Sequence, residues 1–108
     1  MSESITGAEL MILSAIVRLD ENAYGVPIVK ELERHGRRIG VATVYVALGR
    51  LETKGMVTSV TGDSTPERGG RAKRYFQVTA KGIREVRAMQ RTLDRLWQGV
   101  PRLQRGTR

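Results

Sequence analysis

The sequence of 108 residues predicts a single, mainly helical α+β fold in the order helix, helix, helix, strand, strand, helix. Three observations predict this order. Apolar residues recur at helical spacing before residue 55 and after residue 80. Two short runs rich in Val, Thr and aromatic residues lie between these regions, as expected for strands. Glycines and prolines separate the segments and set their boundaries.

The first predicted helix, Gly7–Leu19, is apolar on nearly its whole circumference. Thr6 and Glu9 form the sequence pattern of a capping box, which specifies its start. Only Ser14 and Arg18 leave a narrow polar edge. A helix that is apolar all round needs cover on more than one side, and a short chain has little material to cover it twice. The pattern therefore predicts that a second copy of the chain covers part of this helix.

Glycine and proline define the next two helices. Pro27 favours the first turn of a second helix, and Gly36 ends it. After a short connection, a third helix spans about Val41–Lys54, and Gly55 is its C-terminal stop. The spacing predicts two helices that are adjacent in the fold and joined by a tight turn.

The second half of the chain predicts a β-hairpin followed by a long helix. The strands are Met56–Thr61 and Arg74–Thr79, and the loop between them contains proline, two glycines and several basic residues. The fourth helix begins at Ala80, after Thr79 as its cap, and runs to about Val100, before Pro101.

A tight pair of helices followed by a hairpin with a basic tip is the winged form of the helix-turn-helix. We expect residues 5–79 to form this winged helix-turn-helix unit and residues 80–104 to form a C-terminal dimerisation helix.

The distribution of charge indicates a polyanionic partner. The formal net charge is +8, yet residues 1–33 carry six acidic and two basic side chains. Residues 34–108 carry 17 basic and five acidic side chains. Such asymmetry is typical of contact with nucleic acid, although a basic surface that only keeps the protein in solution has the same composition.

The composition argues against catalysis, cofactors and a membrane location. There is no cysteine, and His35 is the only histidine. The chain has no spacing typical of metal ligands and no nucleotide-binding loop. Because we find neither a long apolar run nor a signal peptide, we expect no membrane contact and a cytoplasmic protein.

The outward face of the third helix is unusual for a surface. The inward residues are Val44, Ala47, Leu48 and Leu51, and the opposite residues are Ala42, Tyr45, Val46, Gly49, Arg50 and Thr53. Small side chains allow a helix to approach the floor of the major groove, where methyl groups can touch thymine methyls. A helix that packs against another element gives the same pattern, so this alternative stays open.

Basic side chains flank this helix and fill the hairpin tip. Arg37 and Arg38 precede the helix, and Lys54 lies near its end. The tip supplies Arg68, Arg71, Lys73 and Arg74. We expect all seven to contact phosphates of double-stranded DNA, although each one alone is equally consistent with a solvated surface charge.

Four blocks of sequence resemble the PadR family of transcriptional regulators. They are Tyr24–Ile28 (YGVPI), Ala42–Glu52 (ATVYVALGRLE), Gly55–Val57 (GMV) and Arg74–Gly82 (RYFQVTAKG), in the family's order and spacing. Ala42 and Val46 replace the family's usual glycine and proline, which leaves the preferred DNA sequence open.

The resemblance implies a winged-helix dimer of the short subclass that represses nearby genes. It implies that Tyr24, Thr43 and Tyr45 face DNA, and that the C-terminal helix pairs with the partner subunit, often against the partner's first helix.

The fourth helix independently predicts a dimer. An apolar seam follows heptad spacing along this helix, and the apolar first helix adds Leu10, Leu13 and Val17 to the predicted interface. In the fourth helix the predicted interface residues are Ile83, Val86, Met89, Gln90, Leu93, Leu96, Trp97 and Val100. A run of four arginines lies beside the seam, and we interpret it as a solvated face.

Trp97 has two interpretations. A lone tryptophan on an apolar seam is most simply an interface anchor. Two such rings from two subunits would alternatively form a pocket for a small aromatic effector.

Two other functions fit the same fold. A winged helix that has lost DNA binding would use its apolar third helix to dock another protein. RNA binding is less favoured, because the chain has no aromatic platform of the kind that single strands need.

Overall fold

The computed structural model describes residues 4–62 and 73–100. The helices are α1 (Gly7–Leu19), α2 (Gly25–Arg34), α3 (Val41–Thr53) and α4 (Ala80–Trp97), and the strands are β1 (Val57–Thr61) and β2 (Arg74–Val78). The predicted order of elements is confirmed. α4 ends at Trp97, three residues earlier than predicted, and Gly99 follows with a φ of +76°. None of the helices in the described ranges is both long enough and apolar enough to cross a membrane.

Helix α1 is the centre of the core. Its capping box forms as predicted: the Thr6 side chain accepts from the backbone of Glu9, and the Glu9 side chain accepts from the backbone of Thr6. The helix packs against α2, α3, α4 and β2 of its own chain. Because several elements of the same chain cover it, its apolar circumference does not by itself require a second copy.

This packing corrects one predicted dimer contact. Leu13 is completely buried in the chain's own core, so no surface of Leu13 is left for a partner. Leu10 is half-buried and Val17 is 52% exposed, so the surface left on this helix lies mainly at Val17.

The two strands form an antiparallel hairpin that is attached to the helical core. Val57 pairs with Val78 and Ser59 with Phe76, which places Val57 and Phe76 on the buried face. The backbone N–H of Phe76 donates to the carbonyl of Ala23, 2.8 Å away, so β2 is also bonded to the connection between α1 and α2.

The start of α4 is fixed against the end of α3. The Thr79 hydroxyl donates to the carbonyl of Gly55 at 2.7 Å, and Lys81 Nζ donates to the carbonyl of Lys54 at 2.6 Å. These donors satisfy carbonyls that a helix end leaves without partners. Gly82 is required here because a Cβ at this position would collide with the Met56 carbonyl.

A buried ion pair connects the first turn of α1 to the end of α3. Lys54 Nζ lies 2.8 Å from Glu9 Oε1, and it also donates to the carbonyl of Ser4. Burial alone raises the pKa of Glu9. The hydrogen bonds from Lys54 and the Thr6 backbone, with the charges of Lys54 and Arg50, outweigh that effect and hold the pKa below its ordinary value of 4.5.

This pair corrects the prediction that Lys54 contacts a phosphate. Its side chain is only 19% exposed, and its ammonium group is already held by the Glu9 carboxylate and a backbone carbonyl. Lys54 is therefore a structural residue.

A second buried carboxylate, Glu31, holds three basic side chains. Arg18 Nε donates to it at 2.7 Å, Arg34 pairs with its other oxygen, and His35 Nδ1 lies 3.2 Å away. The hydrogen bond from Arg18 is the largest cause of the lowered pKa of Glu31; burial opposes it, and the charges of Arg34 and His35 support it. The cluster joins α1 to α2.

We predict that Lys54→Met lowers the free energy of unfolding by about 3 kcal/mol at neutral pH, because it leaves the Glu9 carboxylate buried without a cation. Urea unfolding measures the change. Since the folded-state pKa of Glu9 is lowered, its ionised form stabilises the fold above pH 4.5, and this contribution is lost as the pH falls through the lower folded value. The effect of the substitution should therefore shrink in acid.

Lys30→Met is the matched control. Lys30 is exposed on α2, and its loss should change stability by less than about 0.5 kcal/mol. An equal effect of the two substitutions would contradict the role given to the Glu9–Lys54 pair.

Candidate nucleic-acid interface

One side of α3 is buried in the core, and the residues on the opposite side are exposed or partly exposed. Val44, Ala47, Leu48 and Leu51 lie in the core, as predicted. On the opposite side Val46 is 56% exposed and Tyr45 is 49% exposed. Ala42, Thr43, Gly49, Arg50 and Thr53 are exposed as well. The Tyr45 ring contacts Gly25 of α2, but the small and apolar side chains around it are exposed, and packing among the described residues does not explain them.

The open side of α3 borders a groove at the N-terminus of α1. The groove has a volume of about 250 Å³. Its lining residues are Thr6, Ala8, Ala42, Thr43, Val46, Ala47 and Arg50. Arg50 forms no ion pair with any described residue, although its charge lowers the pKa of Glu9. The groove is therefore open to an approaching molecule, and the Arg50 guanidinium places one positive charge at its edge.

Tyr45 fixes the crossing of α2 and α3. Its ring lies directly against Gly25 in the first turn of α2, and a Cβ on Gly25 would overlap the Tyr45 hydroxyl. Gly25 is therefore needed for the close approach of the two helices. The contact also orients the exposed part of the Tyr45 ring on the open side of α3.

Two free cations precede α3. Arg37 and Arg38 are exposed in the connection from α2, and Arg38 has only a distant ion pair of 3.9 Å with Glu33. Exposed pairs at this separation contribute little to stability. Both guanidinium groups are available to an external anion.

The base of the wing is held by a cluster of aromatic side chains and a lysine. Lys73 Nζ lies 4.6 Å from the centroid of the Tyr24 ring and 3.3 Å from its hydroxyl. The Tyr24 and Tyr75 rings meet edge to face at 5.2 Å. Lys73 and Tyr24 are therefore brought together, and the wing is positioned against the N-terminus of α2.

The Arg74 side chain is held by other residues of its own chain. Its Nη2 lies 2.5 Å from Glu52 Oε1, and its Nε donates to the Ser59 hydroxyl. It also lies 5.4 Å from the centroid of the Phe76 ring. Arg74 thus joins β2 to α3 and is not a residue of the loop tip, which corrects its predicted place. Arg68 and Arg71 lie outside the described residues.

The predicted interface residues in the first half of α4 are mostly half-buried, and those in its second half are exposed. Ile83, Val86 and Met89 are half-buried, and Ile83 lines a groove of about 220 Å³ with Val17 of α1. Further along, Leu93 is 40%, Leu96 69% and Trp97 53% exposed. Gln90 is exposed and Val100 half-buried. The second half of α4 therefore presents large apolar side chains that its own chain does not cover.

A larger groove, of about 440 Å³, lies elsewhere, between residues 20–22 and the two strands of the hairpin. Trp97 is not among its lining residues. The single chain thus forms this cavity away from the position that the sequence suggested for an effector.

Sequence reasoning missed the contacts that position these surfaces. Glu9 was recognised as a capping residue, but its partner Lys54 is 45 positions away in the chain. An acidic residue on an otherwise apolar helix was the available signal that a cation had to be buried with it. The contact of Gly25 with Tyr45 had no local signal.

Comparison with known proteins identifies a common family. A sequence model described as the transcriptional regulator PadR-like family matches residues 12–88. A transcriptional regulator of Mycobacterium tuberculosis is 32% identical over 81 residues, which cover 75% of this chain and 72% of that protein.

Two solved structures show how far the similarity extends in three dimensions. A PadR family transcriptional regulator from Eggerthella lenta has 31% identity and a TM-score of 0.70, over 89% of this chain and 81% of that one. A PadR-like regulator from Bacillus cereus has the same fold at 22% identity, with a TM-score of 0.70 over 89% of each chain.

We predict that Gly25→Ala destabilises the protein by about 1–3 kcal/mol, because the added methyl group overlaps the Tyr45 ring. In a Tyr45→Ala background the overlap is gone, and the same change should become neutral or stabilising, since alanine favours a helix over glycine. Thermal or urea unfolding of the four proteins in this cycle measures the coupling.

Gly49→Ala provides the comparison within α3. Nothing lies within 4 Å of a Cβ at that position, so we expect a gain of about 0.5–1 kcal/mol. Equal effects at the two glycines would refute the close approach.

Proposed function

The chain belongs to the PadR-like family of transcriptional regulators, and from that premise we propose that it binds a palindromic operator as a homodimer and represses transcription. The observation that carries the proposal is the open side of α3, which is slim, largely apolar and uncovered by the described chain. A surface helix of that kind would be unfavourable in water without a partner.

The major groove of DNA fits this surface. The groove admits one α-helix, and its floor presents thymine methyl groups and base edges. Ala42, Val46 and Gly49 allow the helix to come close, while Thr43 supplies a hydroxyl group that can bond polar atoms and Tyr45 presents the exposed part of its side chain. We assign these five residues to contacts with bases.

The surrounding cations suit the phosphates. Arg37, Arg38 and Arg50 are free of short ion pairs within the described residues. Lys73 and Tyr24 form the edge where the wing meets α2. We assign these groups to backbone contacts that position α3, together with Arg68 and Arg71 of the wing.

The exposed end of α4 supports a dimer. Leu93, Leu96 and Trp97 are exposed on one apolar side, and the open groove beside Val17 and Ile83 is lined by apolar side chains together with Asp20 and Gln77. In a twofold dimer one copy's exposed helix end can cover the other copy's groove, so both surfaces leave water together. We therefore propose residues 80–104 as the dimerisation helix and residues 5–79 as the DNA-binding unit.

Control by a small aromatic effector is part of the same proposal. The half-exposed indole of Trp97 lies on the apolar side of α4. Two indoles brought together by a twofold axis would form flat apolar walls, to which a planar aromatic molecule is complementary.

A regulator of chromosomal genes acts where the chromosome lies, which supports the cytoplasm as its compartment.

We predict that selection from a random pool of duplexes yields a palindrome. Val46→Gln should change the selected bases but not the salt dependence, because it alters the side that faces the groove. Arg37→Ala/Arg38→Ala should weaken binding to all duplexes alike and lower the log–log salt slope by about 1.8, at 0.9 for each lost phosphate contact.

A protein that selects no duplex at low ionic strength, yet captures another protein through α3, would instead be an interaction module. The same Val46→Gln variant separates the two functions, because it should then weaken protein capture.

We predict that Leu96→Lys converts the dimer to a monomer, because two lysines would be buried in the apolar contact. Sedimentation measures the mass, and Trp97 emission should shift to the red as the indole enters water. Ala88→Lys is the control, because position 88 is exposed and lies on the side of α4 that carries Arg84 and Arg95, and this variant should remain dimeric. A wild-type protein that is monomeric at all concentrations would overturn the dimer.

The wild-type protein and the Leu96→Lys variant also test whether an aromatic effector binds at Trp97. Planar aromatic compounds should change Trp97 emission in the dimer and leave it unchanged in the Leu96→Lys monomer. Emission that stays constant in both would contradict an effector site at Trp97.

A further inference from the structure

Helix α4 carries a row of arginines that the proposed functions do not use. We call Arg84, Arg87, Arg91 and Arg95 the arginine stripe. All four are exposed, and none has an ion pair or hydrogen bond with any residue that the structure describes. The sequence alone suggested a solvated face, but the placement of the stripe in the fold indicates a more specific use.

The stripe lies on the side of α4 opposite its apolar residues. At 100° per residue, its four positions fall within one narrow sector, and Val86, Met89, Leu93 and Trp97 fall on the other side. The half-buried end of that apolar side packs against α1 and β2. The arginines therefore point away from the core, and they also point away from any partner that covers the apolar side.

The stripe is also separate from the surface assigned to the operator. α3 packs on α1, α2 and β1, whereas α4 packs on α1 and β2. Both the open side of α3 and the stripe face away from the core that these helices share.

We propose that the arginine stripe binds the phosphate backbone of a second stretch of double-stranded DNA, distinct from the stretch that α3 reads. This inference rests on the proposed DNA-binding function. A regulator with both surfaces holds DNA beyond its operator, or joins two separate segments.

The chemistry and dimensions of the stripe fit this partner. From Arg84 to Arg95 it extends for about 16 Å, a length over which a duplex presents roughly nine phosphate charges. One guanidinium group can donate two parallel hydrogen bonds to a phosphate, and the helix holds the four arginines in a row. An anionic membrane is less suitable, because the apolar side of α4 that would have to insert is packed against α1 and β2 in its first half and assigned to the dimer in its second half.

The charge beside the stripe gives a variant of opposite sign. Asp94 is exposed on α4 and lies at the edge of the stripe. Asp94→Asn removes a negative charge next to the bound phosphates, so it should strengthen the second contact, whereas Arg91→Gln/Arg95→Gln should weaken it. None of these side chains takes part in the core or in the apolar side of α4.

The experiment compares the selected operator in a duplex just long enough to contain it with the same operator inside a much longer duplex. The salt slope of wild-type binding should be steeper for the longer duplex. Arg91→Gln/Arg95→Gln should lower the long-duplex slope by about 1.8 and leave the short-duplex slope unchanged. Arg91→Lys/Arg95→Lys, which keeps the charge, should retain most of the difference, and Asp94→Asn should raise long-duplex affinity.

A second assay measures joining of segments directly. Immobilised operator-length duplex with bound protein should capture a labelled duplex of unrelated sequence, and the glutamine variant should lose this capture. Sedimentation and circular dichroism establish that each variant keeps its mass and fold.

Other outcomes overturn the proposal. Equal wild-type slopes on the two duplexes, with normal operator binding, would refute the stripe and leave the operator function intact. A glutamine variant that binds long DNA normally but loses a structured RNA, or vesicles of phosphatidylglycerol, would assign the stripe to that partner instead. Failure of wild-type protein to bind any duplex would refute both the stripe and the operator function.

Discussion

The buried pair of Glu9 and Lys54 is the constraint on which the presented surfaces depend. It joins the first turn of α1 to the end of α3 through a 2.8 Å contact in a region that water hardly reaches. Removing an ion pair from water is unfavourable unless its geometry is good and further hydrogen bonds satisfy it. Here the Thr6 backbone donates to Glu9 Oε1 and the Ser4 carbonyl accepts from Lys54, while Glu9 Oε2 is buried without a hydrogen bond to the described residues. The result is a fixed angle between α3 and the helix at the centre of the core.

That fixed angle explains why the open side of α3 can remain apolar. The core residues of α3 are completely enclosed by α1, α2 and β1, so the opposite residues are free to be small. Tyr45 against Gly25 adds a second restraint at the α2 crossing. The open side of α3 is thus supported from behind by packing, and its own side chains need not contribute to the stability of the monomer.

The basic residues of the chain divide into two groups according to their partners. Lys54, Arg18, Arg34 and Arg74 each hold a carboxylate of the same chain. Arg37, Arg38, Arg50 and the arginine stripe of α4 do not have such short contacts with the described residues. Net charge and position in the sequence do not separate these groups. A cation that is already neutralised adds to stability, whereas one without a carboxylate partner can attract an external anion.

The sequence by itself determined the elements, their order and the family. Capping at Thr6 and Thr79, the stop at Gly55 and the alternation around Phe76 act over a few residues, so they can be read locally. Tertiary structure alone decided which charges are free, that Leu13 belongs to the chain's own core, and that Gly25 receives the ring of Tyr45. These depend on contacts between residues distant in the chain, such as Glu9 and Lys54. Folding brings them together, and no local pattern specifies which partner each side chain meets.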